Sequence, residues 1–322
     1  MDSKNVAGMS LKGGRKDNFY FCLLEHYPEK DRWFLRSLLH VKDEEGLDGN
    51  DAIQNWLQEF SPNHLIVDCP ISDTACKRCL QICPGINRCV DPEVTKIKKL
   101  IADLMEQDSK LQKTNPKQYE YDRNSDDLFD FSKDFFEKDT SEHILSRAFK
   151  RKLKKGYLPY WNRPVDVWIW FNYYDLLLKF FNLSFDSFGN ISLMLLSRFA
   201  YLRRHFSVEL NLYEGNIYLI IIELLRAKII QKKDVLVFMD IERGVDARLD
   251  LAKAISEKFN IFIYDQELEI LVKNGRAFES FLLALAGKNI HQNKIRPLPS
   301  WAQMDSSRFV VPIFKLLSMA NC

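Results

Sequence analysis

Four cysteines fall in one short run, Cys76-x2-Cys79-x3-Cys83-x5-Cys89, with Pro84-Gly85 as a sharp turn between the two pairs. Thiolates at this spacing suit tetrahedral closure, with sulfur about 2.3 Å from Zn²⁺, and the bound metal supplies folding free energy that a loop of this composition does not draw from apolar burial. Structural Zn²⁺ is therefore expected at Cys76, Cys79, Cys83 and Cys89. An iron–sulfur cluster is the rival, because cysteine-only ligation serves both; four free thiols on a loop are the plain alternative. Cys69, directly after Asp68, reads as a buried strand-end residue and not as a fifth ligand. The chain holds seven cysteines, an odd and clustered set, which points to reduced thiols or metal ligands and not to a disulfide framework.

A second group of residues concerns hard cations. Two divalent ions about 4 Å apart that hydrolyse a phosphodiester need several carboxylates converging from strand ends and a helix, since Mg²⁺ or Mn²⁺ prefers oxygen. Asp68 ends the apolar strand His64–Val67, Glu214 follows a strand expected over Val208–Tyr213, and Glu279 opens a helix over Phe278–Ala286. Each has a plain alternative: a strand-end Asp caps turns, and a Glu in a first helical turn is favoured by the helix dipole.

The basic segment from Arg147 to Lys155 contains Lys150, Arg151 and Lys152 and is followed by Tyr157, Tyr160 and Trp161. Cations that pair with phosphates, next to rings on which unpaired bases stack, suit DNA or RNA as a partner. Arg163 is the expected phosphate contact, because a guanidinium grips two oxygens. The competing reading is a solvated helix face that pairs with the acidic tract between Glu120 and Asp139 (Asp122, Asp126, Asp127, Asp130, Asp134 and Glu137). No Gly-rich nucleotide fingerprint or Walker loop occurs, and Gly13-Gly14 reads only as a hairpin-like turn. The six histidines show no i, i+4 pairing, which argues against a His-based zinc hydrolase, and neither Cys22 nor Cys322 has an argued base.

The elements that must position these residues follow from patterning. Over 322 residues, 46% hydrophobic with few Gly and Pro, the chain is expected to fold around a sizeable core, and its net charge of +2 leaves any electrostatic message local. Asn5–Ser10, Phe19–Leu24 and Trp33–Val41 read as three strands in a meander, with a turn at Tyr27-Pro28-Glu29-Lys30. Asn50 is the expected cap of a helix that buries Ile53, Trp56, Leu57 and Phe60. His64–Asp68 then reads as a central strand covered on both faces. Helices are expected around Pro92–Gln107, Val167–Phe181, Ile191–Phe206 and Asn216–Ile230, with Asp234–Asp240 open between strand and helix. This gives an α/β chain in which residues 1–72 and 167–296 form the core, 73–166 is an insertion with the cysteine loop and charged tracts, and 297–322 is a loose tail opened by Pro297-Leu298-Pro299. Neither a signal peptide nor a membrane span is indicated, so a cytoplasmic protein is expected.

From Val6 to about Asn289 the chain resembles a family of predicted RNase H-like nucleases. The resemblance rests on Val6-Ala7-Gly8-Met9-Ser10-Leu11, Ile66-Val67-Asp68-Cys69-Pro70, the Cys-x2-Cys…Cys-Pro-Gly…Cys loop, Leu158-Pro159-Tyr160-Trp161-Asn162-Arg163-Pro164, Leu212-Tyr213-Glu214 and Phe278–Ala286. It implies an RNase H-like mixed sheet flanked by helices, with strand, strand, strand, helix, strand as the opening order. It also implies metal-dependent cleavage of nucleic acid through Asp68, Glu214 and Glu279. One departure matters: in the family the first strand typically ends in an Asp that ligates both metals, and Ser10 stands there instead. Asp17 and Glu25 are not ready replacements. Two outcomes follow from the departure, a nuclease with altered ligation or a non-catalytic nucleic-acid-binding or structural protein that keeps the fold.

Overall fold

A computed structural model describes residues 4–11, 19–43, 46–124, 144–154, 157–183, 193–238, 240–303 and 308–314. The Gly13-Gly14 turn, Asp17, Lys155, Cys322 and the acidic tract from Asp126 onward lie outside the described residues. The strands are β1 (Lys4–Ser10), β2 (Tyr20–Tyr27), β3 (Arg32–His40), β4 (His64–Val67), β5 (Asn211–Gly215), β6 (Ile261–Phe262) and β7 (Phe309–Val310). The first helices are α1 (Gly49–Phe60), α2 (Ala75–Arg78), α3 (Pro92–Thr114), α4 (Pro116–Asn124), α5 (Arg147–Lys154) and α6 (Pro164–Phe181). Then come α7 (Leu193–Arg203), α8 (Ile217–Arg226), α9 (Lys232–Val237), α10 (Gly244–Phe259), α11 (Asp265–Lys273) and α12 (Gly275–His291). The chain divides into two compact units, 1–71 with 191–297 and 307–322, and 72–190 with 298–306.

The first unit is built on a seven-stranded mixed sheet in the order β6-β3-β2-β1-β4-β5-β7. β1, β2 and β3 are antiparallel neighbours, whereas β4 and β5 run parallel to β1, with Met9 opposite Val67 and Val67 opposite Glu214. Leu65, Ile66 and Val67 are fully buried, as a central strand covered on both faces requires. On one face α1 packs Ala52, Ile53 and Trp56 against Phe21 and its neighbours. On the other lies α12, buried from Ala277 to Asn289. Its approach depends on Gly8, where a Cβ would stand 2.1 Å from the Ser280 carbonyl oxygen and 2.3 Å from Ala284 N.

Several local expectations shift. Asp48, not Asn50, caps α1, accepting from the Asn50 and Asp51 amides, while the Asn50 side chain takes a hydrogen bond from Arg198 Nε at 2.7 Å. β5 begins three residues later than expected, because Val208 is fully solvent-exposed and Leu212 is the residue that packs on the α1 side. Glu214 therefore lies within the strand instead of after it. α12 begins at Gly275 with Asn274 as its cap, which moves Glu279 into the second turn and removes the dipole explanation for it. The residues expected as a loose tail include β7, which pairs in parallel with β5, and Ile313 N donates to Lys294 O at 2.8 Å. Of Asp234–Asp240, the residues up to Val237 belong to the short helix α9, and residue 239 lies outside the described residues.

The second unit is helical among its described residues. α6, where core structure was expected to resume at 167, packs Val167, Trp170, Phe171 and Tyr174 with Val94, Ile97 and Phe149 of this unit. Asp108 is fully buried in it and accepts from Tyr119 Oη at 2.8 Å, from Leu145 N at 3.0 Å and from Lys150 Nζ. Among the described residues no helix is long and apolar enough to cross a membrane.

Candidate functional site

Strand alternation decides which carboxylates meet. Gly8 faces α12, so Ser10, two residues on, faces it too; Ile66 touches Gly287 of α12, so Asp68 follows on the same side. There Ser10 Oγ lies 2.9 Å from Asp68 Oδ2 and 2.8 Å from Glu279 Oε2, joining residues 269 positions apart in the chain. Asp68 Oδ1 also accepts from Leu11 N at 2.7 Å, and Arg276 Nη1 donates to Glu279 Oε2 at 2.7 Å. Ser10, Asp68 and Glu279 are all buried.

Glu214 is not part of this cluster. Gly215 meets Ile66 and Leu283 on the α12 side, so its neighbour Glu214 projects toward the opposite face, where Oε2 accepts from Ile71 N at 3.2 Å. Of the three expected carboxylates, the fold unites Asp68 and Glu279 and turns Glu214 away.

The electrostatics of the cluster follow from its contacts. Burial raises the Glu279 carboxyl above its ordinary value and Asp68 adds to the rise, against the opposing pull of Arg276. For Arg276, burial lowers the guanidinium, but the Glu279 and Asp68 charges outweigh it and leave its pKa raised. Ser10 has one hydroxyl proton and two carboxyl oxygens within hydrogen-bond distance, so it donates to one of them at a time.

With Ser10 neutral and Arg276 cationic, the cluster offers a formal charge of only −1 when both carboxyls are ionised. Two divalent cations need more anionic oxygen than that, and among the described residues no group of three or more His, Cys, Asp or Glu is arranged to hold a metal ion. These residues do not fit a two-cation centre. Sequence reasoning missed Arg276, which belongs to no motif; its i, i+3 spacing to Glu279 on one helix face is the signal that could have found the pair.

The cysteine loop belongs to the second unit. Cys76 lies half-buried in α2, Cys79 caps that helix through its amide to Ala75 O, Gly85 reverses the chain at φ 86°, and Cys89 ends a short 3-10 turn. All four are free thiols. Burial raises the Cys76 thiol, and Cys83, Cys89 and Cys79 each add to the rise, but no three of these cysteines stand arranged to hold a metal ion. Between them Leu80 and Ile82 are 99% and 98% exposed, and the stretch is held to the core of this unit through Ala75, Ile86 and Cys89.

Of the expected nucleic-acid residues, Lys150 and Arg163 are paired with carboxylates of the protein. Lys150 is bound to buried Asp108, and Arg147 reaches Glu120 at 3.2 Å, which favours the charge-paired reading of this stretch. Arg163 is buried and grips Asp166 with Nε–Oδ2 at 3.0 Å and Nη2–Oδ1 at 2.7 Å, while Nη1 donates to Ser72 Oγ at 3.2 Å. Its fork is spent on starting α6, since Asp166 at the helix's third position closes back on Arg163 N. Arg151 is exposed and Lys152 half-buried. Tyr157 is buried, and only Tyr160 and Trp161 present ring surface to solvent.

Comparison of the chain with protein-family models, with curated proteins and with solved structures gives no match.

Proposed function

We propose that this chain is an RNase H-like protein whose carboxylate cluster is tied up internally and which acts as a non-catalytic protein on the retained scaffold. The strand order β3-β2-β1-β4-β5, antiparallel through β1 and parallel beyond it, is what an RNase H-like sheet requires and supports the scaffold. The observation that carries the loss of chemistry is Ser10, whose hydroxyl links Asp68 to Glu279 where a charged bridging oxygen is needed. Arg276 neutralises negative charge that the remaining carboxylates would otherwise offer to an ion. Zn²⁺ at Cys76, Cys79, Cys83 and Cys89 is part of the proposal on the chemistry of the donor set alone: four thiols in one short run suit a tetrahedral site, and binding has to draw them together from where they stand.

The test is incubation of the purified protein, freed of contaminating nucleases, with single- and double-stranded DNA, RNA and an RNA–DNA hybrid in Mg²⁺ or Mn²⁺. All substrates are expected to remain intact. Cleavage that requires the metal and disappears in Asp68→Asn overturns the proposal and establishes the second reading, a nuclease. One observation favours that reading: the Arg276 side chain is 36% exposed beside buried Glu279, and a guanidinium so placed can meet a phosphate.

A further inference from the structure

Away from the carboxylate cluster, the hairpin between β2 and β3 and the residue Tyr264 line an open cleft of about 810 Å³ in the first unit. That volume lies within the range of small-molecule sites, about 300–1,000 Å³. Its walls are aromatic. Tyr27 and Tyr264 are 45% and 51% exposed, and the Tyr27 and Phe34 rings meet edge to face at 4.8 Å. Phe262 braces Tyr264 from behind, also edge to face at 4.8 Å. Exposed rings held by perpendicular neighbours form rigid faces on which a flat ligand can stack.

Glu25 is the polar group that orients such a ligand. It is 94% buried by its 6% exposure, yet it lines the cleft. Arg36 Nη1 donates to Oε1 at 3.1 Å and Tyr27 Oη to Oε2 at 3.2 Å, which fixes the carboxylate in place. Each oxygen keeps a further lone pair, so the group can accept two parallel N–H bonds. Arg36, half-exposed, and Lys30, exposed, stand on the rim as partners for an anion.

An organic cation would also find rings and carboxylates here, Glu29 included. Arg36 and Lys30 oppose it, and Arg32 already covers Phe34 and Phe262, 5.8 and 5.2 Å from their centroids. Rings for stacking, an acceptor-only carboxylate and cations at the rim call instead for a flat base with adjacent N–H donors that carries a phosphate. Among the common bases guanine presents that pair of donors, its ring N–H beside its amino group, whereas adenine offers only its amino group on the corresponding edge. We propose that this cleft binds a guanine mononucleotide, with the base between Tyr27 and Tyr264, its N–H edge on Glu25 and its phosphate toward Arg36 and Lys30.

The test is calorimetric titration of the full chain with GMP and with AMP. Saturable GMP binding is expected, roughly tenfold or more tighter than AMP, as a well-formed bidentate base contact provides. Tyr264→Ala, a substitution at an exposed position, is expected to weaken GMP at least about tenfold through lost stacking. Glu25→Gln is expected to abolish the preference over AMP, with folding checked by circular dichroism. Absence of saturable GMP binding at millimolar concentration, equal affinity for the two nucleotides, or unchanged affinity in Tyr264→Ala overturns the proposal. So does displacement of bound GMP by tetramethylammonium at comparable concentration. None of these outcomes depends on whether the carboxylate cluster cleaves nucleic acid.

Discussion

Lys288 offers a buried charge whose cost can be worked out. It lies in the last turns of α12 at 2% exposure, with Nζ 5.9 Å from the Trp33 ring centre and 5.4 Å from that of Phe259, and its polar contact is a 3.2 Å hydrogen bond to Gln292 Oε1. Burial, with Lys294 adding to it, lowers its pKa from 10.5 to about 8, against the opposing pull of Asp31. A lowered folded-state pKa means that the unfolded chain holds the proton more tightly between those values, so stability rises with pH across the window from about 8 to 10.5. At pH 7 the full penalty applies, about 3 kcal/mol at the usual conversion of pKa to free energy. Lys288→Met keeps an unbranched stem against the same rings and removes the ammonium. Allowing about 1 kcal/mol for the lost cation–π contacts, the variant is expected to be more stable at pH 7 by about 2 kcal/mol. Urea unfolding of both proteins at intervals from pH 7 to 10.5 checks this, since other titrating groups cancel in the difference. A variant less stable than the parent at pH 7, or a stability difference that does not shrink toward pH 10.5, refutes the reasoning.

Further substitutions address the other buried contacts. Gly8→Ala places a Cβ against the backbone of α12 at 2.1 Å, and a loss of at least about 3 kcal/mol in urea unfolding is expected; a loss under 1 kcal/mol would mean the helix does not rest on β1. Lys150→Met strands the fully buried Asp108 without its cation and is expected to cost about 3–5 kcal/mol at neutral pH, with part of the loss recovered in Asp108→Asn/Lys150→Met. Equal stability of the single variant and the parent would leave Asp108 without the role described. Elemental analysis of natively purified protein is expected to find one zinc per chain, and a chelator to make the bonds around Leu80 and Ile82 sensitive to protease. Neither zinc nor iron in the native protein would remove the metal from the account.

The sequence by itself determined the kinds of element and much of the core. The Leu65-Ile66-Val67 run read as a strand covered on both faces, and the spacing of Ile53 and Trp56 as a helix with one buried face, because apolar periodicity is a local property of the chain. It also brought Asp68 and Glu279 under suspicion as carboxylates at a strand end and in a helix; Ser10 drew notice only through the resemblance to RNase H-like nucleases. Tertiary structure alone decided what those residues do. Whether Glu214 shares their pocket depended on the register of β5, which sets Glu214 opposite Val67 and not level with Asp68, and one position of slip in a strand moves a side chain to the opposite face. Arg163 lost its expected role to Asp166, and α6 went to the helical unit, through contacts that no local pattern announces. The meeting of Ser10 with Glu279 spans 269 positions and exists only because Gly8 lets α12 lie directly on β1, which is a fact of packing between elements and not of either element's sequence.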